Sequence, residues 1–242
     1  MNLLDDHPSK MPSSDGKLHR WKSWRGNTMF APIYDIPIYT DFYDDKLSSK
    51  LVKVLSQRKA GYKLDKVDSN GNNYQRQWSN YNIFDWKDAE IKILADKIYT
   101  SYVSFCRGLN KIPLEKDMIW IRGWAVVLED NQAIEFHSHS FHENTFLSGN
   151  LSLSDLGTTT DYWFPNFSLY FGWWKSENKI GSLTLFPSWL EHKVDPNLSG
   201  KLRYSIAFDL FTKHSLDYIQ ENRIEGSENQ EIILLAKNIS EV

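Results

Sequence analysis

Long apolar runs are missing from this chain. None exceeds about five residues (124–128 and 232–236), against the roughly twenty that a membrane-spanning helix requires. The opening residues, with Asp5, Asp6 and His7, lack the charged-then-apolar layout of a secretory signal. Cysteine is nearly absent: Cys106 stands alone, which excludes an internal disulfide and a cysteine-rich zinc site. A lone cysteine also predicts a reducing compartment, and so a cytoplasmic location. Strong charge of either sign is missing too. A net charge of −3 leaves no sequence-wide basic field for nucleic acid or an anionic membrane. The local cluster Arg58, Lys59, Lys63 and Lys66 reads as a solvated loop. What the chain has in excess is aromatic side chains, 14% of residues with ten Trp among them. Such residues favour strands and apolar pockets with polar tips.

The 242 residues suit a single domain with decorations. Residues 1–28 are polar without period and are expected to form a mobile arm, with one domain over 29–242. Residues 30–43 are aromatic and β-branched but carry Pro32 and Pro37, so at most an edge strand is expected. A helix over 44–56 is predicted from an Asp44 or Asp45 cap and the repeat of Leu47, Leu51, Val54 and Leu55. Residues 57–87 read as a surface excursion, with Trp78, Tyr81 and Trp86 as candidate lid residues. A second helix over 88–107 follows, closed by Gly108.

The apolar period then changes from 3.6 to 2. Strands are predicted over 118–128, 146–155, 168–174, 181–186 and 201–212, and helices again over 215–238. In 146–155 the alternation is strict: Leu147, Gly149, Leu151 and Leu153 share one face, and Ser148, Asn150, Ser152 and Ser154 the other. The expected fold is α+β, an all-β core over about 118–212 with flanking helices, arranged as a double-sheet jelly roll.

Three of the seven histidines crowd into FHSHSFHEN: His137, His139 and His142. Residues i and i+2 of a strand point the same way, so His137 and His139 can close on one metal ion. His192, in FPSWLEHKVDP, can supply a third imidazole from the other side of the sandwich. Imidazole suits Fe, Zn, Cu or Ni, so the ligand type does not choose the metal. In LRYSIAFDL, Arg203 and Ser205 share one face while Leu202, Tyr204, Ile206 and Phe208 take the other. An arginine pointing into a jelly-roll interior needs an anionic partner, most naturally a carboxylate held by the guanidinium fork. Asp209 is the one acid on that face of the strand, and on an exposed face Arg203 would pair with surface acids instead.

These segments, taken in order, resemble the 2-oxoglutarate/Fe(II)-dependent oxygenase family of bacteria and their phages. HSHSFHENTFLSGNLSL, LFPSWLEHKVDP and RYSIAFDL carry the resemblance over roughly 118–212, and FAPIYDIPIY is similar to the family's opening. The resemblance implies a double-stranded β-helix, with Fe(II), 2-oxoglutarate and O2 as cofactors. His137, His139 and His192 would be the metal ligands. Anchoring on HENTFLSG instead makes His142 the alternative second ligand; i,i+2 geometry favours His139. Arg203 would bind the distal carboxylate of 2-oxoglutarate, assisted by Ser205, with Asn150 lining the pocket. No further catalytic side chain is implied.

The activity so implied is hydroxylation of an unactivated C–H bond, on a peptide side chain or a small molecule, with release of succinate and CO2. No membrane or nucleic-acid partner is expected. Two alternatives stand beside it: a cupin-like metalloenzyme using the same histidines without 2-oxoglutarate, and a non-enzymatic jelly-roll binding module. Trp124, Trp163 and Trp189 are candidate pocket walls. The chain departs from the usual iron-oxygenase centre of two histidines and one carboxylate, because H-x-H supplies no acid; Glu135 and Glu143 are the acids near in sequence.

Overall fold

A computed structural model describes residues 14–22, 29–30, 34–58, 81–139, 146–164, 173–221 and 236–242. Two antiparallel sheets face each other, and helices cover the outer side of the larger one. The larger sheet holds β1 (Lys17–Lys22), β2 (Asp35–Phe42), β3 (Ile119–Leu128), β5 (Leu147–Ser152), β8 (Ser182–Pro187), β10 (Arg203–Thr212) and β11 (Lys237–Asn238). Its strand order is β1-β2-β8-β5-β10-β3-β11. The smaller sheet, in the order β4-β9-β6-β7, holds β4 (Ile134–His137), β6 (Thr159–Trp163), β7 (Trp173–Glu177) and β9 (His192–Val194). This is a double-stranded β-helix, as the period-2 stretches predict.

Strand alternation divides the large sheet into two chemistries. Its outer face presents Tyr39, Ile121, Ala125, Leu151, Leu183, Leu185, Ile206, Phe208 and Leu210. These pack with helices α1 (Asp45–Gln57) and α2 (Ala89–Gly108) into the main apolar core. Both helices follow the predicted pattern. Asp44 caps α1 by accepting from the Leu47 amide at 2.8 Å, and Leu47, Leu51, Val54 and Leu55 form its buried stripe. The inner face of the large sheet is different. It carries Arg122, Ser148, Asn150, Ser152, Thr184, Arg203, Ser205 and Asp209, nearly all of them buried. The functional interior is therefore polar, and the apolar burial that stabilises the domain lies behind it.

Several expectations need correction. Within the predicted arm, residues 17–22 form β1, which pairs along its whole length with β2. Trp21 anchors that pairing through ring contacts with Phe164 and Trp174, a tertiary gain invisible to local pattern. In consequence β2 lies between β1 and β8 rather than at an edge, and it accommodates Pro37 opposite Arg20. In the C-terminal region α3 spans Lys213–Glu221, residues 222–235 of the predicted helices lie outside the described residues, and 237–238 form a strand beside β3 instead of helix. Tyr81 and Trp86 are not lid residues. They stack on each other, the Tyr81 hydroxyl accepts from the Ala125 amide at 3.1 Å, and both pack on the core. Arg58 lies over Trp86 and pairs with Asp88. Trp78, Lys59, Lys63 and Lys66 lie outside the described residues.

Gly149 shows why the SG step in β5 requires glycine. A Cβ there would lie 2.4 Å from Phe208 Cζ and 2.9 Å from Leu185 Cδ2, both fully buried. Gly149→Ala is therefore expected to destabilise the domain by about 1–3 kcal/mol through overpacking, read as a lower urea midpoint with an unchanged slope.

Candidate metal centre

Strand pairing assembles the histidines. His137 ends β4 directly opposite His192 on β9, and His192 is also opposite Tyr162 on β6. His139 follows β4 in a bend, and its amide donates to the Ser188 carbonyl at 2.9 Å, tying it to the turn after β8. The ring centroids are 5.3 Å apart for His137 and His139, 4.3 Å for His137 and His192, and 5.1 Å for His139 and His192. One ligand atom from each lies within 4.8 Å of the other two, and this is the metal-capable cluster among the described residues. His142 and Glu143 lie outside the described residues, and Glu135 is exposed.

Hydrogen bonds orient the three rings alike. Nδ1 of His137 faces the Glu135 carbonyl at 2.9 Å, and Nδ1 of His192 faces the Leu190 carbonyl at 3.0 Å. Nδ1 of His139 faces the Asp209 carboxylate at 2.5 Å. Carbonyl and carboxylate oxygens only accept, so each Nδ1 carries a proton and Nε2 is the nitrogen each ring has left for a metal. Burial, with the neighbouring His139, lowers His137 to about 4. Burial, with His137 and His139, holds His192 well below the ordinary imidazole range. Such neutral imidazoles are what a divalent transition metal needs. The donor set fits iron.

The rest of the inner face continues this polar interior. Asn150 donates to the Tyr162 hydroxyl at 2.8 Å, and burial pushes that phenol up, so it stays neutral. Tyr162 stacks on His192. Arg203 is 2% exposed. Its Nε donates to Thr158 Oγ1 and its Nη1 to Ser205 Oγ, both at 3.1 Å. No ion pair to Arg203 exists among the described residues, and burial alone lowers it to about 10, so it remains cationic at neutral pH. The acid on its own strand face, Asp209, is committed to His139 and Ser148 instead. A buried guanidinium held by two hydroxyls and no carboxylate fits an incoming carboxylate such as the distal end of 2-oxoglutarate.

The comparisons agree with this chemistry. Residues 122–209 match the model of a family described as "Putative 2OG-Fe(II) oxygenase". Over these residues the chain resembles the 2OG-Fe(II) oxygenase family. Fe(II), 2-oxoglutarate and O2 are the cofactors of that family. Solved structures share the fold of this core. A Pseudomonas putida prolyl-4-hydroxylase matches with TM-score 0.54 and 14% identity, covering 73% of this chain and 92% of its own. A prolyl hydroxylase from Trichoplax adhaerens, in complex with a hypoxia inducible factor peptide fragment, matches with TM-score 0.52 and 18% identity over 74% and 84%. The epimerase SnoN, in complex with Fe3+, alpha ketoglutarate and nogalamycin RO, matches with TM-score 0.54 and 9% identity over 72% and 78%. No curated protein matches the chain by sequence.

Sequence reasoning missed the residues that support the centre. Tyr162, Thr158 and Ser188 gave no motif, because their role comes from pairing with distant strands. Ser148 and Asp209 were detectable only as inward positions of alternating strands. Among the tryptophans, Trp124 does wall the site, 5.6 Å from His139. Trp189 packs on the small cluster around Phe186 and Leu190. Trp163 is a correction. Its neighbour Tyr162 faces inward, so Trp163 points outward, where it meets Trp173 and Phe136.

The depressed histidines predict an acid-sensitive metal-free protein. Between pH 6.5 and about 4, unfolded His137 binds a proton that the folded state does not, so stability falls as pH drops. The expected slope is about 1.4 kcal/mol per pH unit for each such imidazole. Urea denaturation of metal-free protein at pH 7, 6 and 5 measures it, and His137→Gln should flatten the profile.

Proposed function

We propose that this chain is an Fe(II)- and 2-oxoglutarate-dependent hydroxylase acting on an unactivated C–H bond of a peptide side chain or a small molecule. The observation that carries the reading is Arg203, a buried cation without an acid partner among the described residues, on the interior where one ligand atom from each of three histidines lies within 4.8 Å of the others. In this reading His137, His139 and His192 hold the iron through Nε2. Arg203 receives the distal carboxylate of 2-oxoglutarate, Ser205 orients the guanidinium, and Asn150 lines the pocket through its contact with Tyr162.

Iron bound there supplies the oxidising chemistry: O2 and 2-oxoglutarate are consumed, succinate and CO2 are released, and one oxygen atom enters the substrate C–H bond. The protein supplies orientation and a water-poor interior. Tyr162, Phe186 and Trp124 exclude water around the histidines, and Thr158 and Ser205 hold the Arg203 guanidinium in advance of binding. Both substrate classes have precedent on this fold, in the peptide-bound prolyl hydroxylase and in SnoN with its nogalamycin ligand. No helix among the described residues is long and apolar enough to cross a membrane, and the single cysteine favours the cytoplasm.

Anaerobic titration with Fe(II) and then 2-oxoglutarate tests the reading through the weak visible charge-transfer band of the iron–keto-acid chelate. The band should appear with wild type and be lost with His137→Ala, His139→Ala and His192→Ala. Retention in His139→Ala with loss in His142→Ala would transfer the second ligand to His142. Arg203→Met should raise the Kd for 2-oxoglutarate at least about a hundredfold, because it removes the charged partner of a buried carboxylate. Full activity in Arg203→Met would favour the cupin-like alternative. Absence of any bound metal in folded protein would favour the binding module.

A further inference from the structure

The three histidines are not equivalent. His137 and His192 each give their Nδ1 proton to a neutral backbone carbonyl, whereas His139 gives its proton to the carboxylate of Asp209. Asp209 sits on the inner face of β10, six positions after Arg203, and is 7% exposed. Its environment is built to keep it ionised and fixed. The Ser148 hydroxyl donates to the same carboxylate oxygen, Oδ1, at 2.6 Å. Having used its one proton there, Ser148 accepts from the Ser188 hydroxyl at 2.9 Å. Ser188 in turn receives the His139 amide on its carbonyl, so one residue clamps both ends of the relay. Arg122, opposite Asp209 on β3, adds a buried positive charge.

We propose that Asp209 is a positioning residue for the metal centre. Through the Nδ1 proton of His139 it fixes that ring with Nε2 toward His137 and His192. It also supplies, one hydrogen bond away from the ligand nitrogen, the negative charge that a two-histidine, one-carboxylate centre receives from a ligating acid. A carboxylate accepting from the remote nitrogen of a ligating imidazole raises the basicity of the other nitrogen and removes its rotational freedom. Three neutral imidazoles around a divalent cation leave one more positive charge than the usual centre; Asp209 offsets it from behind His139. The inference rests on the assignment of His139 as a ligand.

Co(II) serves as the probe, by competition between metal-free protein and a chromophoric chelator, with the cobalt visible spectrum recorded alongside. Asp209→Asn keeps the shape and removes the charge, and is expected to weaken Co(II) binding by about 10–100-fold and shift the visible bands. Nitrogen-15 NMR of the metal-free variant should show His139 no longer held as the single Nδ1–H tautomer, which a purely structural role would not require. Asp209→Glu is expected to recover part of the affinity. If Asp209→Asn unfolds below the assay temperature, the double variant Arg122→Met/Asp209→Asn, which removes the buried cation together with the anion, carries the same measurement.

Wild-type Co(II) affinity in folded Asp209→Asn, or in the double variant, with His139→Ala strongly impaired, overturns the proposal and leaves the histidine centre intact. Wild-type affinity in His139→Ala as well overturns the ligand assignment itself.

Discussion

Strand β10 carries the two faces of the protein on one backbone, and this division constrains everything else. Its even positions, Ile206, Phe208 and Leu210, are sealed into the core shared with α1 and α2. Its odd positions, Arg203, Ser205 and Asp209, stand in the sandwich interior. A slip of one residue in register would bury the charges in the apolar core and turn the apolar side chains to the polar pocket. The pairings of β10 with β3 and with β5 therefore have to be exact, and both are continuous over the shared length. Packing at the back of the sheet holds the polar front in register, so mutations such as Gly149→Ala would act on the site only indirectly.

The interior tolerates its buried charge because each charged group has a defined counterpart or a reason to lack one. Asp209 is satisfied by His139, Ser148 and the nearby Arg122. Arg203 has hydroxyls but no acid among the described residues, which makes it receptive to an anion. His137 and His192 stay neutral because burial and the neighbouring imidazoles disfavour their protonation, and that keeps their lone pairs available to a cation. Metal and 2-oxoglutarate would thus complete a charge pattern that the protein leaves open at both ends.

How much of this could be read beforehand varied with how local the cause was. The caps and stripes of α1 and α2 and the alternation of β5 were legible, since each depends on spacing within a few residues. The H-x-H pair and the inward Arg203 were legible for the same reason. The short strands β4, β6 and β9 were not, although they place His137, His192 and Tyr162. Strands of three to five residues hold too little pattern to stand out and persist only because partners pair with them. Tyr81 and Trp86 looked like exposed lid residues because polar neighbours surround them in sequence, yet they pack on the core behind β3.

Asp209 marks the boundary between the two kinds of information. The amino-acid order by itself determined the α+β class, the two-faced strands, the candidate ligands and a cation in need of a carboxylate. These follow from periodicity, residue chemistry and motif order, all local quantities. Only the tertiary structure decided that Asp209 answers His139 rather than Arg203, and that Trp163 faces away from the pocket while Trp124 lines it. It also decided that the segment around Trp21 is a strand and not an arm. Each of these depends on which distant strand lies alongside, and hydrogen bonds across 61 or 70 residues of separation leave no trace in local spacing.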